Sequence, residues 1–373
     1  MGYETATPVQ EQAIPAILSG KDVLASAQTG TGKTAAFLLP VLHKILSEPH
    51  SDGQIHCMII VPTRELAMQI DQNMDALSYF THLTSIAVYG GTDGVTFSRE
   101  MEVLSKGTDV VICTPGRMIA HLLMDYVKVS ELKYLILDEA DRMLDMGFYN
   151  DILKIISYLP TERQNLMFSA TMPKEIRELS KKILNNPLEI SIALSKPAER
   201  VLQLAYVVYE KQKIPLLSFL ISQQKAESIL IFCSTKEKAH NLAFELKRLK
   251  LQAEEIHSDL DQNSREKVLL DFKNRKLNIL VATNVLSRGI DIEDIDIVIN
   301  MDVPHEAEDY IHRIGSTARA SSSGVAITLI GEKEQHYFQK IEKLLGNTIH
   351  KSAVPKQFGE GPEYRIERNH RRR

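Results

Sequence analysis

Short apolar runs alternate along the chain with stretches whose apolar residues recur every three or four positions. In the first half the runs are Asp22–Ala25, Ile55–Val61, Ser85–Tyr89, Asp109–Cys113, Tyr134–Leu137 and Asn165–Phe168, and helical spacing fills Ala35–Ser47, Glu65–Leu77 and Lys174–Leu184 between them. Runs that are apolar at nearly every position suit strands covered on both faces, and one run per helical stretch is the βαβ rhythm of a parallel sheet. The periodicity fades after Asn185-Asn186-Pro187 and resumes at Tyr206–Tyr209, continuing through Ser228–Phe232, Ala253–Ile256, Ile279–Val281, Ile295–Asn300 and Val325–Ile330. The pattern predicts two α/β domains in tandem, over 1–186 and 200–350, joined by a linker at 187–199. From Lys351 onward both signals weaken, and 351–373 reads as a flexible basic tail with 7 Lys/Arg against 3 Glu.

A length of 373 residues is enough for two cores, and 44% hydrophobic with 25% charged residues is ordinary globular composition. No apolar run approaches the ~18 residues of a membrane span, and Met1-Gly2-Tyr3-Glu4 lacks the basic and apolar segments of a secretory signal, so the expected location is cytoplasmic. Cys57, Cys113 and Cys233 each fall inside an apolar run with no CxxC pair, which predicts buried thiols rather than metal ligands or disulfides. No histidine spacing suggests a structural metal. A net charge of -4 excludes a globally basic nucleic-acid coat, so any nucleic-acid site must be a local groove of donors.

The strongest chemical signal is Ala27-Gln28-Thr29-Gly30-Thr31-Gly32-Lys33-Thr34, placed between a strand-like run and a helical stretch. Glycines there let backbone N–H groups curl around phosphate oxygens, Lys33 neutralises the β- and γ-phosphates, and the Thr34 hydroxyl can ligate Mg²⁺. The second signal is Tyr134–Leu137 followed by Asp138-Glu139-Ala140-Asp141. Ligands of open parallel sheets bind at the carboxyl ends of strands, so Asp138 is placed to hold Mg²⁺ and Glu139 to orient or deprotonate water. Together the two signals predict nucleotide hydrolysis.

Asp138–Asp141 spells D-E-A-D, and from Gly2 to about Gly346 the chain resembles the DEAD-box RNA helicases in motif order and spacing. It is most similar to the bacterial RhlE-like branch, on Ala25–Thr34, the run DRMLDMGF at Asp141–Phe148 and the short basic tail. The resemblance implies two tandem RecA-like domains, each a parallel sheet with helices on both faces, with ATP and Mg²⁺ as cofactors. It implies RNA as partner, read through its backbone with low sequence specificity, and a setting in ribosome assembly or RNA decay. Thr7 and Gln10 resemble the adenine-reading motif and, with Gln28, Thr29, Gly30, Thr31, Gly32, Lys33, Thr34, Asp291 and Arg319, form the expected nucleotide set. Lys33, Asp138, Glu139, His312 and Arg319 are the expected catalytic residues, and Thr34 and Asp138 the expected magnesium holders, mostly through water. Thr63, Arg64, Gly91, Thr114 and Arg117 resemble RNA contacts in the first domain, and Thr235, Arg265 and Thr283 in the second. Ser169 and Thr171 resemble the motif that couples hydrolysis to strand separation.

The departures concentrate in the second domain. Tyr310–Arg319 carries Ser316 where the family has the first of two arginines aimed at the γ-phosphate, while Arg319 keeps the second. Such an arginine contributes about 10³–10⁵ in rate where it acts alone, and a serine supplies no charge. Asn284 replaces an aspartate, Ser258 a glycine and Ala6 a proline of the family pattern. The family's adenine-stacking aromatic precedes Gly2 and is not in the sequence, which implies weaker stacking with binding retained. The expected function is an RNA-stimulated ATPase that separates short RNA duplexes or remodels RNA–protein complexes. A slow ATP-dependent RNA clamp is the alternative, and a DNA translocase is disfavoured by the DEAD spelling and the adenine-reading motif.

Overall fold

The computed structural model describes residues 5–27, 30–49, 51, 53–91, 94–192, 201–223, 226–257, 259–283, 295–315, 317 and 324–365; the side chains of 262, 263 and 312 fall outside it. The chain divides into two compact units between Ser195 and Lys196. The first holds strands β1 (Val23–Ser26), β2 (Cys57–Ile60), β3 (Ser85–Val88), β4 (Val110–Cys113), β5 (Tyr134–Leu137), β6 (Gln164–Ser169) and β7 (Leu188–Ser191). The second holds β8 (Leu202–Val207), β9 (Ile229–Cys233), β10 (Ala253–Ile256), β11 (Ile279–Thr283), β12 (Ile297–Asn300), β13 (Val325–Ile330) and β14 (His350–Lys351).

Each unit is one parallel sheet, in the orders β3-β4-β2-β5-β6-β1-β7 and β10-β11-β9-β12-β13-β8-β14. Adding seven to each label of the first order reproduces the second, so the units share one topology. Helices cover both faces of the first sheet, and successive residues of one strand feed opposite cores. Cys57 and Ile59 join the cluster containing Phe37 and Phe168, while Met58 and Ile60 join the one containing Leu135 and Met143. Burial on both faces is why these strands read as unbroken apolar runs instead of alternating ones.

The segment boundaries fall differently from expectation at the start of the linker and at the tail. Residues 188–191, assigned above to the linker, are an edge strand tied to β1, with Leu188 N–H donating to Asp22 O at 2.8 Å and Ile192 N–H to Ser26 O at 2.9 Å. Only Ile190 of that strand is buried, so no apolar run announced it. The first strand of the second unit begins at Leu202, four residues before the expected start, because the run Leu202–Tyr206 is mostly half-covered. Residues 351–365, assigned to the flexible tail, pack on the second unit. Ser352 N–H donates to Ala205 O at 2.8 Å, Gln212 Nε2 to Phe358 O at 2.8 Å, and Tyr364 Oη to Glu342 Oε2 at 2.9 Å. These are polar and single-aromatic contacts, which leave no periodicity in a sequence.

Asp22 shows how the first sheet is tied together. It is buried and accepts from Asn165 N–H (2.8 Å), Asn165 Nδ2 (3.3 Å) and Asn185 N–H (2.7 Å), joining β1, β6 and the turn before β7. Asp22→Ala leaves those donors without acceptors and is expected to destabilise the first unit by about 3 kcal/mol, read as a lower thermal midpoint. An unchanged midpoint would show that water replaces the carboxylate.

Candidate functional site

The turn after β1 leads directly into the helix Lys33–Ser47, whose N-cap is Gly32 at φ 84°. That left-handed backbone and the neighbour at this point both call for glycine, because a Cβ on Gly32 would lie 2.5 Å from Gln10 Nε2. Gln10 is the reason for the crowding: its Nε2 donates to Gly32 O at 3.1 Å and its Oε1 accepts from Thr7 N–H at 3.0 Å. Two of the four hydrogen bonds an amide can make are thereby used, leaving one N–H and one lone pair for an adenine edge. Gln10, itself held by Thr7 N–H, therefore grips the turn at Gly32.

Lys33 is buried, and its Nζ donates to Ala27 O at 2.8 Å, while Thr34 follows on the same helix turn, half-covered. Facing it from the end of β5 is Asp138, 3% exposed. Burial pushes the Asp138 carboxyl up to about 6; the Lys33 charge opposes that rise and the neighbouring Glu139 adds to it. Glu139 sits at φ 52°, a left-handed conformation that costs a non-glycine residue about 1–3 kcal/mol and turns its side chain sharply off the strand. Arg142 Nη1 holds Glu139 Oε2 at 3.3 Å.

Asp141 completes the acidic turn as a latch. Its Oδ2 accepts from Thr171 N–H at 2.9 Å and Thr171 Oγ1 at 2.7 Å, its own N–H donates to Ser169 Oγ at 3.3 Å, and Ser169 Oγ donates to Thr171 O at 2.8 Å. Burial would raise its carboxyl, but the hydrogen bonds from Thr171 and Ser169 and the Lys33 charge hold it below the ordinary carboxylate value. Ser169 and Thr171, expected to couple hydrolysis to strand separation, are thus bonded to the same turn that carries Asp138 and Glu139. Asp141 and Arg142 were not singled out from sequence, although both lie inside the motif that was.

The residues expected to meet RNA gather on the other half of the same edge. Thr63 follows β2 and caps the helix Arg64–Ser78, accepting from Leu66 N–H at 3.4 Å. Gly91 follows β3 at φ 78°, and a Cβ there would fall 2.1 Å from Arg64 Nη2, so glycine is what lets the guanidinium lie across this turn. Thr114 follows β4 and caps Pro115–Leu122. Arg117 behaves differently, since its guanidinium turns inward onto buried Glu100 (Nε to Oε2, 2.7 Å) and the Phe97 ring (4.4 Å). Glu100 Oε2 also meets His121 Nε2 at 2.9 Å, so Arg117, the expected RNA contact on this helix, also ties it to the helix Gly94–Lys106.

In the second unit Thr235 caps Lys236–Arg248 and accepts from Lys238 N–H at 3.2 Å, with φ −132° and ψ 156°. Thr63 has φ −133° and ψ 156°, so the two threonines are the same device in the two sheets. Thr283 ends β11, buried, and Arg265 lies on the helix Gln262–Lys273 after β10. Gln28, Thr29, Ser258, Asn284, Asp291, Ser316 and Arg319, and the side chain of His312, lie outside the described residues.

A phosphate turn with a buried lysine, facing an acidic strand end on the carboxyl edge of a parallel sheet, defines a P-loop nucleotide-binding protein. Residues 7–179 match the family described as DEAD/DEAH box helicase, and residues 212–321 match the family described as helicase conserved C-terminal domain. The chain is 43% identical over 92% of its length to the ATP-dependent RNA helicase CshA of Listeria monocytogenes, covering 65% of that protein. It is 40% identical over 95% of its length to the DEAD-box ATP-dependent RNA helicase RhpA of Helicobacter pylori, covering 71% of that one. A structure of S. cerevisiae Dbp5 bound to RNA and ADP BeF3 is similar over 94% of this chain and 90% of that chain, with a TM-score of 0.84 and 28% identity. The chain belongs to the DEAD-box helicase family, and its two sheets are the tandem RecA-like domains of that family.

Gln10→Glu tests the grip of the adenine-reading motif on the phosphate turn. The carboxylate keeps the acceptor for Thr7 N–H but sets a negative oxygen against Gly32 O. ATP affinity is expected to fall about tenfold, and the preference for ATP over GTP to narrow, in equilibrium nucleotide binding. Unchanged affinity for both nucleotides would remove Gln10 from the site.

Proposed function

We propose that this chain is an ATP-dependent RNA helicase, an RNA-stimulated ATPase that separates short duplexes or remodels RNA–protein complexes. The observation that carries this reading is the joint placement of Gln10, Lys33, Asp138, Glu139 and the Asp141–Thr171 latch on one half of the carboxyl edge of one sheet. Thr63, Arg64, Gly91 and Thr114 stand on the other half of that edge. Hydroxyl, guanidinium and backbone donors suit phosphate and sugar oxygens, which supports backbone reading of RNA with little sequence preference.

Lys33 neutralises the β- and γ-phosphates once they replace Ala27 O as its partner. Asp138 and Thr34 would hold magnesium, mostly through water. Asp138 suits this role because burial has already raised the cost of its lone charge, so a cation beside it is favoured. Magnesium supplies positive charge to the phosphate oxygens. Glu139, set off the strand by its left-handed backbone and held by Arg142, orients the attacking water and takes up its proton. Asp141 transmits the position of this acidic turn to Thr171, which is how hydrolysis reaches the rest of the chain.

The slow-clamp reading rested on Ser316, and the relatives described above, whose names state ATP-dependent helicases, lend it no support. The setting we propose is cytoplasmic, in ribosome assembly or RNA decay; the free, buried thiols of Cys57, Cys113 and Cys233 fit a reducing compartment. No described helix is long and apolar enough to cross a membrane.

Two measurements bear on this reading. A short RNA duplex should separate in the presence of the protein and ATP and stay annealed when ATP is withheld. Glu139→Gln should lower RNA-stimulated turnover about 10²-fold or more while ATP affinity stays within about threefold, since the lost interaction belongs to the transition state. Turnover equal to the parent's would show that another group activates the water.

A further inference from the structure

The shared topology of the two sheets sets the second unit's residues against those of the nucleotide site. In the first unit Asp138 N–H donates to Ile60 O across β5 and β2; in the second, Met301 N–H donates to Phe232 O across β12 and β9. Asp302, one residue on, therefore occupies the position that Glu139 holds in the first unit. Lys213 lies on the helix Glu210–Ser222 that follows β8, as Lys33 lies on the helix that follows β1. The second sheet thus carries a lysine and an acid in the arrangement of a nucleotide site, but here the two are closed on each other.

Lys213 is completely buried, and its Nζ lies 3.1 Å from Asp302 Oδ1, 2.9 Å from Glu334 Oε2 and 3.2 Å from Glu210 Oε2. Lys238 Nζ reaches the same Asp302 Oδ1 at 2.6 Å and Glu210 Oε1 at 3.4 Å. Arg313, 1% exposed, donates to Asp302 O at 3.2 Å and Asn300 Oδ1 at 2.8 Å. Lys213 and Lys238 face the three carboxylates Glu210, Asp302 and Glu334, and Arg313 adds a third positive charge on the main chain of Asp302, so the charges match in number where burial makes an unpaired charge costly. Burial alone would raise the Asp302 carboxyl, yet the Lys213 charge and the hydrogen bonds from Lys238 and Ser234 hold it well below the usual range.

The network ends on an exposed turn. Asp302 Oδ2 accepts from Ser234 N–H at 2.8 Å, immediately before the cap Thr235, while Lys238, one helical turn beyond that cap, is held by Oδ1. Ser234 and Thr235 are themselves exposed. A charge network that only stabilised the core would have no need to grip both sides of a solvent-facing donor turn. We infer that Asp302 is a positioning residue for RNA: in the place of the catalytic acid of the first domain, it fixes the Ser234–Thr235 turn for a phosphate of the RNA backbone. The inference rests on the RNA-stimulated ATPase proposed above.

The test is ATPase rate against single-stranded RNA concentration for the parent, Asp302→Asn, Lys238→Met and Lys238→Arg. Asp302→Asn is expected to raise the RNA concentration for half-maximal stimulation about tenfold, with KM for ATP and the rate at saturating RNA within about twofold of the parent. Lys238→Met, at a partly exposed position, should shift the same midpoint about threefold, and Lys238→Arg should restore it. If Asp302→Asn does not fold, the Lys238 pair decides. Unchanged RNA midpoints in folded variants would overturn the inference, and so would a fall in saturating rate without a midpoint shift, which would place Asp302 on the ATP side. A parent whose ATPase ignores RNA would instead remove the underlying function, and the two failures are distinct.

Discussion

Parallel pairing forces the carboxyl ends of all strands in a sheet onto one edge, and the chemistry of this chain depends on that constraint. The strand order then divides the edge. In the first domain β1, β5 and β6 present the phosphate turn, the acidic turn and the Ser169–Thr171 segment, while β3, β4 and β2 present Gly91, Thr114 and Thr63. The second domain repeats the division, with Thr235 and Arg265 following β9 and β10, Thr283 ending β11, and Arg313 following β12. The residues proposed for nucleotide and those proposed for RNA are therefore neighbours on one edge, at a strand spacing of about 5 Å.

Buried charge is handled differently in the two sheets. In the first, Lys33 rests on a backbone carbonyl and burial raises the Asp138 pKa to about 6. In the second, Lys213 and Asp302 are closed into a balanced network with Glu334, Glu210, Lys238 and Arg313. The open arrangement is poised for a ligand and the closed one holds backbone in place. Since both sit on the same topology, the difference lies in which partners the surrounding helices and turns supply.

Much of this was legible in the sequence. Strands β2, β4, β5 and β9 are buried on both faces, so their apolar runs were unambiguous, and the phosphate turn and D-E-A-D are contiguous motifs, of which the structure brings Lys33 near Asp138 and Asp141. Edge strand β7, with one buried residue, and the packed segment 351–365, held by hydrogen bonds to Gln212 and Ala205, left no periodic trace. Long-range polar networks were the other blind spot. Lys213, Asp302 and Glu334 are separated by 89 and 32 positions, and nothing local marks them as partners. The bond between Arg117 and Glu100, seventeen residues earlier on another helix, is equally unmarked by local pattern.

Steady-state ATP turnover of the purified chain shows whether the nucleotide half and the RNA half of each edge act as one device. Turnover should be slow in the protein alone, rise at least about tenfold on adding single-stranded RNA of unrelated sequences, and respond much less to DNA of the same sequences, since only RNA offers the 2′-hydroxyl to backbone-reading donors. Turnover that is equal with and without RNA, or equally stimulated by DNA, would contradict the account.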